Sequence, residues 1–301
     1  MQDFHVTATG HSLNYLPEYI AGWQGFFADE GLQVAATVPS PWDLVLSDID
    51  HAKADAALGG IWVPSMFHGR GKRYTPFAQV AARAPLAVVG RERAEDFDWA
   101  RMPGKTVAMK GSNGASVGLY VKMLMRENGL DPRSVNFIQD LDGKMLSDLF
   151  VGGMADYLVI DYPSAVTLAA RYPVHVVTAL SVDGGNIPWS VYYAPGESDA
   201  TRLETQARFC RALGLGMQWI LDHEAAGYRD FLVTTFPKFD GDLLVKLTDT
   251  YRKIGMWTTP RIDRDAYDRW QTGIADGHLT TAPIAYDALI DGRATTAFVK
   301  A

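Results

Sequence analysis

The order of elements predicts an α/β protein of two lobes, the second inserted into the first, with a mainly helical C-terminal third. Two observations carry this reading. Short β-rich runs alternate with amphipathic helices through the first two thirds of the chain, the mark of parallel sheets covered on both faces. Two such sets occur, separated by RAEDFDWARMPG, and one further strand signal returns in DGGNIPWSVYYA before the chain turns helical to about residue 275. The predicted lobes are 1–87 with 188–301, and 88–187, joined by chain crossings near 83–91 and 181–190. Ligands of open parallel sheets sit beyond the carboxyl ends of strands, so two facing lobes predict one shared cleft. A single doubly wound domain with a helical cap is the alternative.

In order, FHVTATG reads as the first strand. A helix follows, capped by Ser12 or Asn14, with Pro17 in its first turn and Leu16, Tyr19, Ile20, Trp23 and Phe27 at helical spacing up to Gly31. LQVAATV is the second strand, Asp43 to Lys53 a helix, AAL before Gly59 and Gly60 a short strand, and Trp62 to His68 a brief helix. FAQVAAR and LAVVGR are extended. In the second set KTVAMKG is a buried strand, and GSNGAS turns it into a helix from Val117 to Asn128. VNFIQD, a helix from Lys144 to Phe150, ADYLVID, a helix from Pro163 to Arg171 and VHVVTAL complete it.

Composition narrows the function. The 301 residues carry 28 Lys+Arg against 35 Asp+Glu, a formal charge of -7, which argues against nucleic acid as a partner, since phosphate contacts need clustered basic side chains. No run of about 18 apolar residues exists, so no segment is expected to span a bilayer and the protein is expected to be soluble. The first ten residues, MQDFHVTATG, lack the basic start and apolar run of a secretory signal. The expectation is a periplasmic protein if a leader was removed, and otherwise a cytoplasmic one. Cys210, the only cysteine, sits in the helical run FCRALGLGMQW and reads as a buried small hydrophobe. The seven histidines show no metal-ligand spacing, and neither a metal nor an organic cofactor is predicted.

The segment LPEYIAGWQGFFADEGLQV at 16–34 is similar to the opening of the nitrate, sulfonate, taurine and thiamine-pyrimidine substrate-binding proteins. ADAALGG at 54–60, KTVAMKGSNGAS at 105–116 and ADYLVIDYPSA at 155–165 agree in order, and IGMWTTP and RDAYDRW also resemble that group. The resemblance covers nearly the whole chain. It implies the type II periplasmic-binding-protein fold, closure around a small molecule, and delivery of that molecule to an ABC permease. The cysteine-rich motif of thiamine-pyrimidine synthases that share the fold is absent.

Candidate ligand contacts follow from the expected strand ends. In GSNGAS the amides of Ser112, Asn113, Gly114 and Ala115 gather at a helix N-terminus, Gly111 and Gly114 let the backbone approach closely, and Ser112 and Ser116 add hydroxyl donors, so that donors and the helix dipole favour an anion or a carbonyl; a plain helix cap is the alternative. Asn14 and Tyr15 follow the first strand, as cleft residues or as cap and core aromatic. Trp42 and Trp62 follow the second and third strands and either stack on a planar ligand or pack beneath their loops. Gly59 and Gly60 permit close backbone approach at the same rim. Asp161, beside Tyr162, either accepts a ligand donor or caps the helix at Pro163. Trp189 lies in the return crossing, and Arg83 before the outward one pairs with a ligand acid or a protein carboxylate. An alternative function, a cofactor-free decarboxylase or desulfinase, would use His11 and Asp161 as its acid-base pair.

Overall fold

Ten strands appear in the computed structural model, which describes residues 1–111, 115–139, 141 and 143–298. They are β1 (Gln2–Ala8), β2 (Leu32–Thr37), β3 (Ala56–Gly60), β4 (Tyr74–Ala81), β5 (Leu86–Gly90), β6 (Thr106–Met109), β7 (Asn136–Ile138), β8 (Tyr157–Asp161), β9 (His175–Thr178) and β10 (Ser190–Pro195). Two five-stranded sheets result, in the orders β2-β1-β3-β10-β4 and β7-β6-β8-β5-β9. Each is parallel but for one strand. β10 runs against β3 and β4, with Ser190 beside Gly60 and Ala81, and β5 runs against β8 and β9.

The described residues form two compact units. One comprises Met1–Arg83, Asn186–Gln271 and the C-terminal segment from Ala282; the other comprises Ala84–Gly185 and Thr272–Thr281. The last of these segments lies within residues that the sequence reading assigns to the first lobe. It packs with the second unit because two glycines, Gly273 and Gly277, leave room for Met123 and Leu119, and Arg126 donates to the Asp276 carbonyl at 2.9 Å.

In the first unit the long helix Ala200–Asp222 covers the sheet. Phe209, Cys210, Leu213, Gly216, Met217 and Ile220 recur on its buried face, and Phe209 stacks on Phe4 and Phe27 at 4.7 and 5.2 Å. Cys210 is buried, and desolvation pushes its thiol pKa well up, as expected of a core residue. At Gly216 the helix meets the helix Leu16–Trp23 so closely that a Cβ would strike the Pro17 carbonyl oxygen and lie 3.3 Å from Ala21. Gly216→Ala is therefore expected to destabilise by about 1–3 kcal/mol, although alanine favours helices. Urea unfolding measures this, and an unchanged midpoint would contradict the packing.

The helix expected to run unbroken to Gly31 is broken. Gly25, at φ 81°, separates Leu16–Trp23 from Phe26–Asp29, a backbone conformation open to glycine at little cost. Neither Ser12 nor Asn14 caps the first helix; Tyr15 occupies the cap position and no side chain bonds there. Trp23, expected in the buried stripe, is 50% exposed and stacks on Phe231 at 4.4 Å.

The second unit buries Ala87, Val89, Ala108, Leu158 and Ile160 under Leu146, Phe150, Ala165 and Leu168, contributed by the helices Gly143–Val151 and Tyr162–Ala169. Among the described residues no helix is long and apolar enough to cross a membrane.

Candidate functional site

Thr9 prolongs β1 by donating to the Leu58 carbonyl at 2.9 Å, and the chain then turns through Leu13–Tyr15 into the first helix. Asn14, in this turn, is only 2% exposed. Its Oδ1 accepts from the Ser12 hydroxyl, its Nδ2 donates to Ser190 Oγ at 3.4 Å, and its main-chain carbonyl accepts the Trp257 indole N–H at 2.9 Å. The amide read as a cleft donor is thus engaged inside the first unit, binding the turn to β10 and to a residue 243 positions away. Tyr15 is also buried. Desolvation raises its phenol pKa, partly offset by hydrogen bonds with Ser190 and Thr9, so it stays a neutral hydroxyl.

Trp42 and Trp62 form a corner at the ends of β2 and β3. Both are half-buried, their ring centroids are 6.2 Å apart and their planes are 68° from parallel. Gly60 explains where the Trp62 ring lies: a Cβ there would be 2.5 Å from the indole Nε1. Gly59 similarly yields to the Thr9 methyl, which would stand 2.9 Å from an added Cβ. These glycines seat protein side chains at the rim.

His11 is exposed. Its Nε2 lies 2.9 Å from the Thr235 carbonyl, which only accepts, so this nitrogen donates; the ring stacks on Tyr19 at 4.8 Å. Trp189 is buried, with its ring 6.4 Å from Trp270 and inclined by 28°. Arg83, half-buried, ends the first segment of this unit.

In the second unit Gly111 donates to the Leu141 carbonyl at 3.0 Å, and a Cβ on it would approach the Gln139 carbonyl to 2.7 Å. Glycine is needed there for the neighbouring strand end to lie alongside. Ser112, Asn113 and Gly114 fall outside the described residues. Ala115 is half-buried and precedes the helix Ser116–Glu127, whose first residue is buried. Asp161 caps its helix, its Oδ1 accepting the Ser164 amide at 3.0 Å. Tyr162 is half-buried against the core, its amide donating to the Pro85 carbonyl at 2.9 Å.

Ser190, Trp257 and Lys110 escaped the sequence reading. Ser190 gathers Asn14 and Tyr15, and Trp257 holds the Asn14 carbonyl. Both act across long sequence separations, for which no local pattern exists. Lys110 directly follows β6, in the segment KTVAMKGSNGAS whose ligand contacts were expected only from Gly111 onward. Among the described residues no group of three or more His, Cys, Asp or Glu is placed to hold a metal ion.

Two sheets, each with a single reversed strand, and loops gathered at strand ends define the class as the type II periplasmic-binding-protein fold. The ligand-binding component of an ABC-type import system from Staphylococcus aureus has this fold, with a TM-score of 0.74 at 11% identity over 100% of both chains. The periplasmic aliphatic sulphonate binding protein SsuA from Escherichia coli gives 0.68 at 13% identity, covering 97% of this chain and 92% of its own. YtlA of Bacillus subtilis (strain 168), named as a candidate binding protein, is 25% identical over 292 residues, which are 95% of this chain and 86% of YtlA. The chain belongs to the NMT1/THI5 like family, whose model matches residues 12–226.

Proposed function

We propose that this protein is the solute-binding component of an ABC import system, acting in the periplasm, where it captures a small organic molecule for a permease. The observation that carries this reading is the corner of two half-buried indoles, Trp42 and Trp62, beyond the carboxyl ends of β2 and β3, the two strands that flank β1 in parallel. Open sheets take ligands at that edge, and an aromatic surface left partly exposed there suits a planar or apolar portion of a ligand. The neutral hydroxyls of Thr9, Ser12 and Ser190 nearby serve its polar atoms. The Staphylococcus aureus and Escherichia coli proteins, which by their names serve import and bind sulphonates, lend support.

A thermal-shift screen of sulfonates, carboxylates and heteroaromatic compounds tests the proposal. A ligand at about 100 times its dissociation constant adds about 2.7 kcal/mol to stability, a clear rise in midpoint. Trp42→Ala and Trp62→Ala are expected to weaken the best hit by about 10- to 100-fold while the unliganded midpoint holds. A screen with no hit would refute the reading, and unchanged affinity in both variants would remove the corner from the site.

A further inference from the structure

Among the described residues no side chain pairs with the ammonium of Lys110. The residue follows β6 at the carboxyl edge of the second sheet and is half-buried. The other half-buried lysines among the described residues are engaged: Lys105 reaches Asp156 at 3.3 Å, and Lys122 lies 5.0 Å over the ring of Phe137. Even the more exposed Lys72 and Lys144 pair with Asp50 and Asp148. Among the described residues Lys110 has neither a carboxylate nor a ring as partner.

Its immediate surroundings sharpen the point. β6 runs parallel to β8, with Met109 beside Val159, so Asp161 ends the neighbouring strand. That carboxylate is turned to the Ser164 amide as a helix cap. Removing a cation partly from water without a counter-charge costs free energy, and a chain gains nothing structural by keeping it there. The backbone directly after the lysine is tied by the Gly111 amide to the Leu141 carbonyl at 3.0 Å.

We propose that Lys110 is a ligand-contacting residue that meets an anionic group, a carboxylate or a sulfonate, on the molecule this protein binds. The inference rests on the solute-binding reading and names the charge class of the solute. A lysine suits both acids, since its ammonium acts as a point charge with rotatable donors and does not demand a planar partner. The carboxyl edge of a parallel sheet is where such a charge meets a ligand.

The test uses acid and amide pairs that differ in charge and little in shape: benzoate with benzamide, benzenesulfonate with benzenesulfonamide, and hexanoate with hexanamide. Each is titrated into the full chain as wild type, Lys110→Met and Lys110→Arg. Wild type is expected to prefer at least one acid over its amide by about 10- to 100-fold, the range of a charge-assisted hydrogen bond. Lys110→Met is expected to erase that preference without shifting the unliganded midpoint, and Lys110→Arg to retain most of it. An acid preference that survives Lys110→Met, or amides bound as tightly as acids by wild type, overturns the assignment and leaves the solute-binding reading standing. Wild type that takes none of the six while the wider screen yields a neutral ligand overturns it as well. Silence across that whole screen removes the solute-binding reading itself.

Discussion

Between about pH 5 and pH 8 the folded protein is expected to lose about 2–3 kcal/mol of stability through one side chain, Glu18. Glu18 stands in the first turn of the helix Leu16–Trp23, 5% exposed, and accepts a 2.6 Å hydrogen bond from the buried Tyr192 hydroxyl. Burial raises its pKa from 4.5 to about 7, and the Tyr192 bond only partly opposes this. The unfolded chain releases this proton near pH 4.5 while the folded chain holds it to about pH 7. Stability therefore falls as pH rises through that window and levels off above it. Asp131, Asp156 and Asp291 behave oppositely: hydrogen bonds lower their pKa values, so their contributions are lost only in more acidic solution. Urea unfolding along a pH series is expected to show the decline in wild type and a flatter profile in Glu18→Gln. Tyr192→Phe, which removes the bond favouring the carboxylate, should carry the decline to higher pH. A Glu18→Gln profile parallel to wild type would refute the assignment.

Trp257 is expected to matter most among the buried aromatics near the first strand ends. It is 0% exposed, packs edge-on against Tyr251 at 5.8 Å, and its N–H is the partner of the Asn14 carbonyl. Trp257→Ala removes a large buried ring and is expected to cost about 3–5 kcal/mol. Trp257→Phe keeps much of the apolar volume but leaves the Asn14 carbonyl without its donor, at a cost of about 1–3 kcal/mol. The second variant separates packing from positioning. If the indole N–H holds the Asn14 turn, amide hydrogen exchange across residues 12–16 should quicken in Trp257→Phe more than exchange in the distant sheet. Equal protection in both places would assign Trp257 to the core alone.

The alternation of strands and helices was legible because it is written in local periodicity. LQVAATV and LAVVGR each contain an observed strand, FHVTATG holds all but the first two residues of β1, and the helix after GSNGAS lies where its spacing put it. What misled were features with two local meanings. Trp23 keeps the helical spacing of a core residue, yet Gly25 ends the helix and the ring lies at the surface. Asn14 has the composition of a cap or a ligand donor. It does not cap the helix, and its polar groups bond to Ser12, Ser190 and Trp257.

From the sequence alone came the fold class, the family resemblance and the strand-end segments where a ligand would be met, since hydrophobic period and turn chemistry act between near neighbours. Tertiary structure decided which polar groups are already consumed. Asn14, Asp161 and His11 make hydrogen bonds within their own units, while Lys110 has neither a carboxylate nor a ring as partner among the described residues. The physical reason is that satisfying a buried polar group depends on partners brought close by folding, often hundreds of residues away, and no local pattern in the chain records which partner arrives.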